Sequence, residues 1–176
     1  QILVSNDGGG SWRVAKDFKT NLQYITTSPL APGRVYAAGA GLARSDDGGN
    51  NWTSLTEGLK LFNDNLNFYR LVLHPTEKDI LFWISKYGIV RSLDAGKTWA
   101  DLKLLNPAGS VNIYALAISP KEPNEMYYVG TVLGEKNSSR STFYKSVDGG
   151  KTWVTKKLPT NTIPVSLLIH PKETNT

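Results

Sequence analysis

Four short stretches of this chain hold an aspartate inside a glycine-rich loop, the arrangement that most readily suggests bound metal. They are Ser5-Asn6-Asp7-Gly8-Gly9-Gly10-Ser11-Trp12, Ser45-Asp46-Asp47-Gly48-Gly49-Asn50-Asn51-Trp52, Ser92-Leu93-Asp94-Ala95-Gly96-Lys97-Thr98-Trp99 and Ser146-Val147-Asp148-Gly149-Gly150-Lys151-Thr152-Trp153. Calcium takes six or more oxygens, and each loop offers one or two carboxylates, so no metal is expected. A turn explains the shared pattern better. Asp7, Asp47, Asp94 and Asp148 can accept hydrogen bonds from nearby backbone N–H groups. Gly9, Gly49, Gly96 and Gly150 supply a backbone with positive φ. Ser5, Ser45, Ser92 and Ser146 open each box, and Trp12, Trp52, Trp99 and Trp153 close it as large apolar anchors of the next strand.

Other reactive residue types yield to the same treatment. The two histidines, His74 and His170, each precede a proline where Ser28 and Ser119 stand in sister segments, so repeat position accounts for them. Arg44, Arg91 and Lys145 could clamp a carboxylate, but each stands just before its box serine, which fits a solvated face with alkyl stems over apolar surface. Glycoside hydrolysis needs two carboxylates about 5–10 Å apart. Asp64, Asp101 and Glu135 fall in the right connections, yet nothing in their spacing pairs them. No catalytic residue is assigned and no cofactor is implied. The candidates for binding are Asn67, Tyr69, Arg70, Lys86, Tyr87, Tyr114 and Arg140, aromatic and cationic residues on the longer connections or at strand starts. Asn51-Trp52-Thr53 and Asn137-Ser138-Ser139 match the glycosylation sequon, the first inside a box turn.

Composition limits the remaining classes. The 176 residues are 40% hydrophobic and 20% charged, which supports a packed core. A net charge of +5 is scattered rather than gathered in a stripe with interleaved aromatics, so nucleic-acid binding is not expected. Without cysteine there is no disulfide frame or thiolate metal site. No apolar run approaches the ~18 residues of a membrane helix. Gln1 opens the chain without a signal peptide, as in a mature product or an excised piece.

The elements that carry these residues follow from the repeat. Successive box tryptophans are 40, 47 and 54 residues apart, the length of a four-stranded propeller blade. Ser28-Pro29, His74-Pro75, Ser119-Pro120 and His170-Pro171 each close an apolar run, where a proline can end a strand. The expected fold is all-β: a β-propeller of four-stranded antiparallel blades, with each box as the turn between third and fourth strands. The blade parts are 1–19 (third and fourth strands), 20–56, 66–103, 111–157 and 163–176 (first strand only, Val165–Ile169), a partial propeller of about four blades and fifteen strands. Three arrangements would cover its open faces: a longer parent chain, which is favoured, a ring completed by association of copies, or closure of a compact four-blade ring. An isolated chain is expected to self-associate.

Ser-x-Asp-x-Gly-x-Thr-Trp resembles the Asp-box, or bacterial neuraminidase repeat, and the boxes with their proline turns span nearly the whole chain. The motif occurs in sialidases, sortilin-type receptors, endo-xyloglucanases and the photosystem II stability and assembly factors. The regular spacing and the stretch Gly88–Trp99 look most like the assembly-factor-like secreted bacterial proteins. The resemblance implies a non-catalytic scaffold, extracellular or periplasmic, that binds a protein or a glycan through its blade-mouth loops. The alternatives it implies are a sialidase- or xyloglucanase-type hydrolase with its acids outside this segment, and a sortilin-like receptor. The Arg-Ile-Pro signature of sialidases is missing before the first box.

Overall fold

A computed structural model describes residues 1–18, 21–65, 68–133, 139–160 and 162–170, with the side chains of 63–65, 133 and 139 outside that description. The chain divides into two compact units, Gln1–Leu61 and Phe62–Thr176. In the first, β1 (Ile2–Val4) and β2 (Arg13–Lys16) form a two-stranded sheet. Strands β3 (Leu22–Thr27), β4 (Val35–Gly39), β5 (Leu42–Ser45) and β6 (Thr53–Ser54) follow as an antiparallel four-stranded sheet in sequence order. The second unit holds two more such sheets. One contains β7 (Phe68–Leu73), β8 (Leu81–Ser85), β9 (Gly88–Ser92) and β10 (Ala100–Asp101). The other contains β11 (Asn112–Ile118), β12 (Met126–Leu133), β13 (Ser139–Ser146) and β14 (Val154–Lys157). These are propeller blades, and the expected fold class holds.

Strand β8, Leu81-Phe82-Trp83-Ile84-Ser85, is buried at every position. It reads as a continuous apolar run because a strand covered on both faces has no reason to alternate. In the second unit the core lies between neighbouring blades: Phe82, Ile84 and Ile89 pack with Ile113, Leu116, Tyr128, Tyr144 and Trp153. Tyr128 stacks flat on Tyr144, with ring centroids 4.2 Å apart, and meets Trp153 edge-on at 4.8 Å.

All four boxes close the same way. In the third blade-forming box, Ser92 Oγ donates to Asp94 Oδ1 at 2.8 Å, and the Gly96 amide donates to Ser92 Oγ at 2.8 Å. The Thr98 amide and hydroxyl then donate to the two carboxylate oxygens at 2.8 and 2.6 Å. Ser11, Asn51 and Thr152 make the corresponding pair of bonds to Asp7, Asp47 and Asp148. The Asn51 amide of the first sequon is therefore occupied in its turn. These donors hold the carboxyls below the usual range, Asp47 at about 2.

The sequence pattern foresees positive φ at the fifth box position. The fourth adopts it as well, including Ala95 at +58°. That conformation turns the fourth amide outward onto the turn between a blade's first two strands. Gly48 donates to the Gly33 carbonyl and Ala95 to that of Asp79, each at 2.8 Å, and Gly149 to that of Asn124 at 3.0 Å. Box and proline turn are thus bonded to each other.

Two of the proline turns are capped alike. Ser119 Oγ accepts the Glu122 amide at 3.1 Å, and in its sister turn His74 Nδ1 accepts the Glu77 amide at 3.1 Å. The ring also stacks over Phe82. Repeat position therefore explains His74, as the sequence suggests, and its imidazole replaces a hydroxyl.

Four expectations need correction. Trp12 is 63% exposed while Trp99 and Trp153 are 7% and 8% exposed, because among the described residues no inner strand pairs with the β1–β2 hairpin to pack against its box tryptophan. Thr56–Asn65, read as part of a long connection, contains a 3-10 helical segment anchored by buried Leu59. The run Val165–Ile169 forms no strand, making fourteen among the described residues where fifteen were expected. In the complete blades that position pairs with the following strand, and none follows it among the described residues. Lastly, Arg44, Arg91 and Lys145 are more than a solvated face. Arg44 and Arg34 hold Asp46 at 2.9 and 2.8 Å, Lys145 meets Glu125 at 3.1 Å, and Arg91 donates to the Gly149 carbonyl of the neighbouring box.

Two outcomes follow. Asp94→Ala, which strips the receiving group from Ser92 and Thr98, is expected to cost about 1–3 kcal/mol in urea unfolding. Asp7→Ala, in the exposed hairpin, should cost less. For His74, burial lowers the imidazole pKa, with Glu77 opposing. A depressed folded value means stability is complete above the unfolded pKa near ~6.5 and is lost as pH falls through the folded one. Wild type should lose unfolding free energy as pH falls below about 6.5, and His74→Ser should flatten that slope.

Candidate functional site

Antiparallel order puts the boxes and proline turns at one end of each blade. The starts of β7 and β11, the β8–β9 turn and the end of β10 lie at the other. A bulge recurs there in the pairing of first and second strands. Register shifts between Leu22 and Tyr24, Phe68 and Arg70, and Ile113 and Leu116 leave Gln23, Tyr69, and Tyr114 with Ala115 outside the ladder. Bulges re-aim side chains, and here they bring two expected binding residues together across neighbouring blades. The Tyr69 and Tyr114 rings lie 4.8 Å apart at 43°. Both are half-buried, and Tyr69 packs against the interblade core. Burial, and then the Tyr114 hydroxyl, push the Tyr69 phenol upward. Arg70 is half-buried opposite Ile84 in the ladder.

Open space lies at the same end of the blade. A cleft of about 380 Å3 runs between the β8–β9 turn and the β10–β11 connection, lined by Tyr87, Asp101, Lys103, Leu104, Asn106 and Pro107 among others. Its walls are held by the backbone: the Leu102 amide donates to the Ile89 carbonyl at 3.1 Å, and the Gly109 amide to the Tyr87 carbonyl at 3.0 Å. Phe62 meets the Tyr87 ring edge-on at 5.1 Å. The Tyr87 hydroxyl donates to Asp101 Oδ2 at 3.3 Å, and the Lys103 amide to Asp101 Oδ1 at 2.9 Å. Lys103 takes a left-handed φ of +53°, which turns the chain into the cleft wall. Burial, then the Asp101 charge, raise the Tyr87 pKa. The lining combines an aromatic face, a carboxylate acceptor, an ammonium and an amide. Such a set can stack on an apolar ring face while exchanging hydrogen bonds with hydroxyls.

Of the remaining expected residues, Lys86 is exposed within the β8–β9 turn and Arg140 is exposed on β13 opposite Val132. Asn67 lies outside the described residues, as do Glu135 and the Asp64 side chain. His170 is exposed. Among the described residues no three of His, Asp and Glu gather as a metal set. Sequence reasoning missed Phe62, Lys103 and Asn106. It passed over residues 102–110, where Pro107-Ala108-Gly109 already marks a built turn.

No protein-family model matches the chain. It is 27% identical over 183 aligned residues to the xyloglucanase Xgh74A of Acetivibrio thermocellus, covering 85% of this chain and 21% of that protein. It is 26% identical to a xyloglucanase of a Paenibacillus species, covering 84% of this chain and 18% of that protein. The chain thus spans about a fifth of the length of these relatives. Among solved structures, an ancestral GH74 enzyme superposes with a TM-score of 0.62 at 18% identity, covering 80% of this chain and 18% of its own. The GH74 enzyme of Niastella koreensis superposes at 0.61 and 17%, covering 85% and 25%. At these identities the structural likeness is one of fold.

The Tyr87–Asp101 contact is directly testable. Asp101→Asn removes the charge that helps to raise the phenol, so the Tyr87 midpoint should fall toward the ordinary ~10. Ultraviolet difference titration against Tyr87→Phe isolates that signal.

Proposed function

We propose that this chain is a run of blades from an extracellular, polysaccharide-binding propeller, and that its own share of the work is to hold a neutral glucan chain at the end opposite the boxes. The single observation that carries this is the Tyr87–Asp101–Lys103–Asn106 cleft. A hexose presents alternating hydroxyls around a ring whose faces are C–H surfaces. Tyr87 offers a ring to that surface, and Asp101, Lys103 and Asn106 offer hydrogen-bond partners of both kinds. Opposite unit charges on Asp101 and Lys103 favour an uncharged ligand over an acidic one. Likeness to xyloglucanases supports a xyloglucan-type chain as the glucan.

Hydrolysis is the second reading, favoured because both of those relatives are enzymes acting on such a chain by name. A single assay separates the two. Titration calorimetry with a xyloglucan heptasaccharide should give saturable heat without release of reducing ends. Tyr87→Ala should weaken binding about tenfold, equivalent to ~1.4 kcal/mol. Reducing-end release abolished by Asp101→Asn would transfer the assignment to hydrolysis. A folded wild-type chain that binds neither the heptasaccharide nor cello-oligosaccharides would overturn the glycan reading.

A further inference from the structure

Asn106 is half-buried in the cleft wall, and its side chain has a partner on the far side from solvent. The Tyr128 hydroxyl, at 3.5 Å, donates to Asn106 Oδ1. Tyr128 is 0% exposed and is itself fixed by the flat stack on Tyr144 and the edge of Trp153. Burial drives its phenol pKa strongly upward, so the hydroxyl keeps its proton and remains a donor at every working pH. A buried donor needs an acceptor, and an amide has one acceptor end and one donor end. The contact with Tyr128 therefore decides which end of Asn106 faces the cleft.

We infer that Tyr128 is a positioning residue and Asn106 a specificity-determining one: Tyr128 engages the amide oxygen of Asn106, so that the cleft, which Asp101 also lines, is presented with its NH2 group. This rests on the glycan reading and deepens it. A donor from Asn106 and an acceptor on Asp101, both lining the cleft, suit a sugar that presents one accepting and one donating hydroxyl. The Lys103 ammonium adds a second donor at the rim. The site therefore selects a neutral sugar over its deoxy counterpart, since a missing hydroxyl leaves a cleft donor or acceptor unpaired.

The test uses the full chain and the xyloglucan heptasaccharide as probe. Asn106→Ala should weaken binding about tenfold and Tyr128→Phe about fivefold, while the double variant should be no weaker than Asn106→Ala alone, as expected for coupled groups. Asn106→Asp leaves an acceptor for Tyr128 and replaces the NH2 donor with a charged acceptor oxygen, so it should bind at least as poorly as Asn106→Ala. This variant keeps the test open if Tyr128→Phe fails to fold. The Asn106 side-chain amide resonances should shift in Tyr128→Phe whether or not sugar is present. Additive losses, an Asn106→Asp chain that binds like wild type, or unmoved amide resonances would each overturn the positioning role. If the probe does not bind wild type but the amide resonances do shift, the glycan reading fails and the positioning contact stands.

Discussion

Every complete blade depends on one small hydrogen-bonded knot. A box carboxylate gathers a hydroxyl from two residues earlier and two donors from four residues later, and this forces the fourth and fifth residues into left-handed backbone. The fourth amide then points away from its own turn and reaches the carbonyl of another. Through that bond, at 2.8–3.0 Å in three blades, the outer hairpin is fastened to the inner one. The knot acts twice, closing a turn locally and fixing two hairpins against each other across the sheet.

The knot was almost wholly legible in the sequence. Asp, Gly and Trp recur at fixed offsets because each does something no other residue does as well, and a fourfold recurrence within one chain removes the ambiguity of a single match. The bond between box and proline turn was not legible, although both marks were. It is made by backbone groups of Gly33, Asp79 and Asn124, three residues of unrelated type, so no side-chain pattern reports it. The same reason hid the bulges at the starts of β3, β7 and β11, where a register shift leaves Gln23 in one blade and Tyr69 in another. Ala95 shows the limit from the other side. Its left-handed φ occupies a position that glycine fills in the three sister boxes, and it is held there by the surrounding bonds rather than by its own preference.

The candidate site was visible only in outline. Tyr87 and Asp101 could be placed at the correct end of a blade by counting strands. Their partners Lys103 and Asn106 sit on a connection of ordinary composition, and Asn106 matters through Tyr128, which is 22 residues away in sequence. Loop length was an incomplete guide, since the cleft belongs to the β10–β11 connection and not to the longer one between β6 and β7. Burial statistics would also have misled. Tyr128 looks like any core aromatic, and its hydroxyl is the part that reaches the cleft wall.

Clasp and cleft occupy opposite ends of the same strands, and this separation has a consequence for how the molecule can change. The segment 102–110 leaves the blade through the Leu102 amide and returns through the Gly109 amide, and both anchors are main-chain bonds indifferent to side-chain identity. What lies between them is a replaceable cassette. Evolution, or an engineer, can exchange its residues for another recognition chemistry while the two anchoring bonds and the distant knot go on setting the frame.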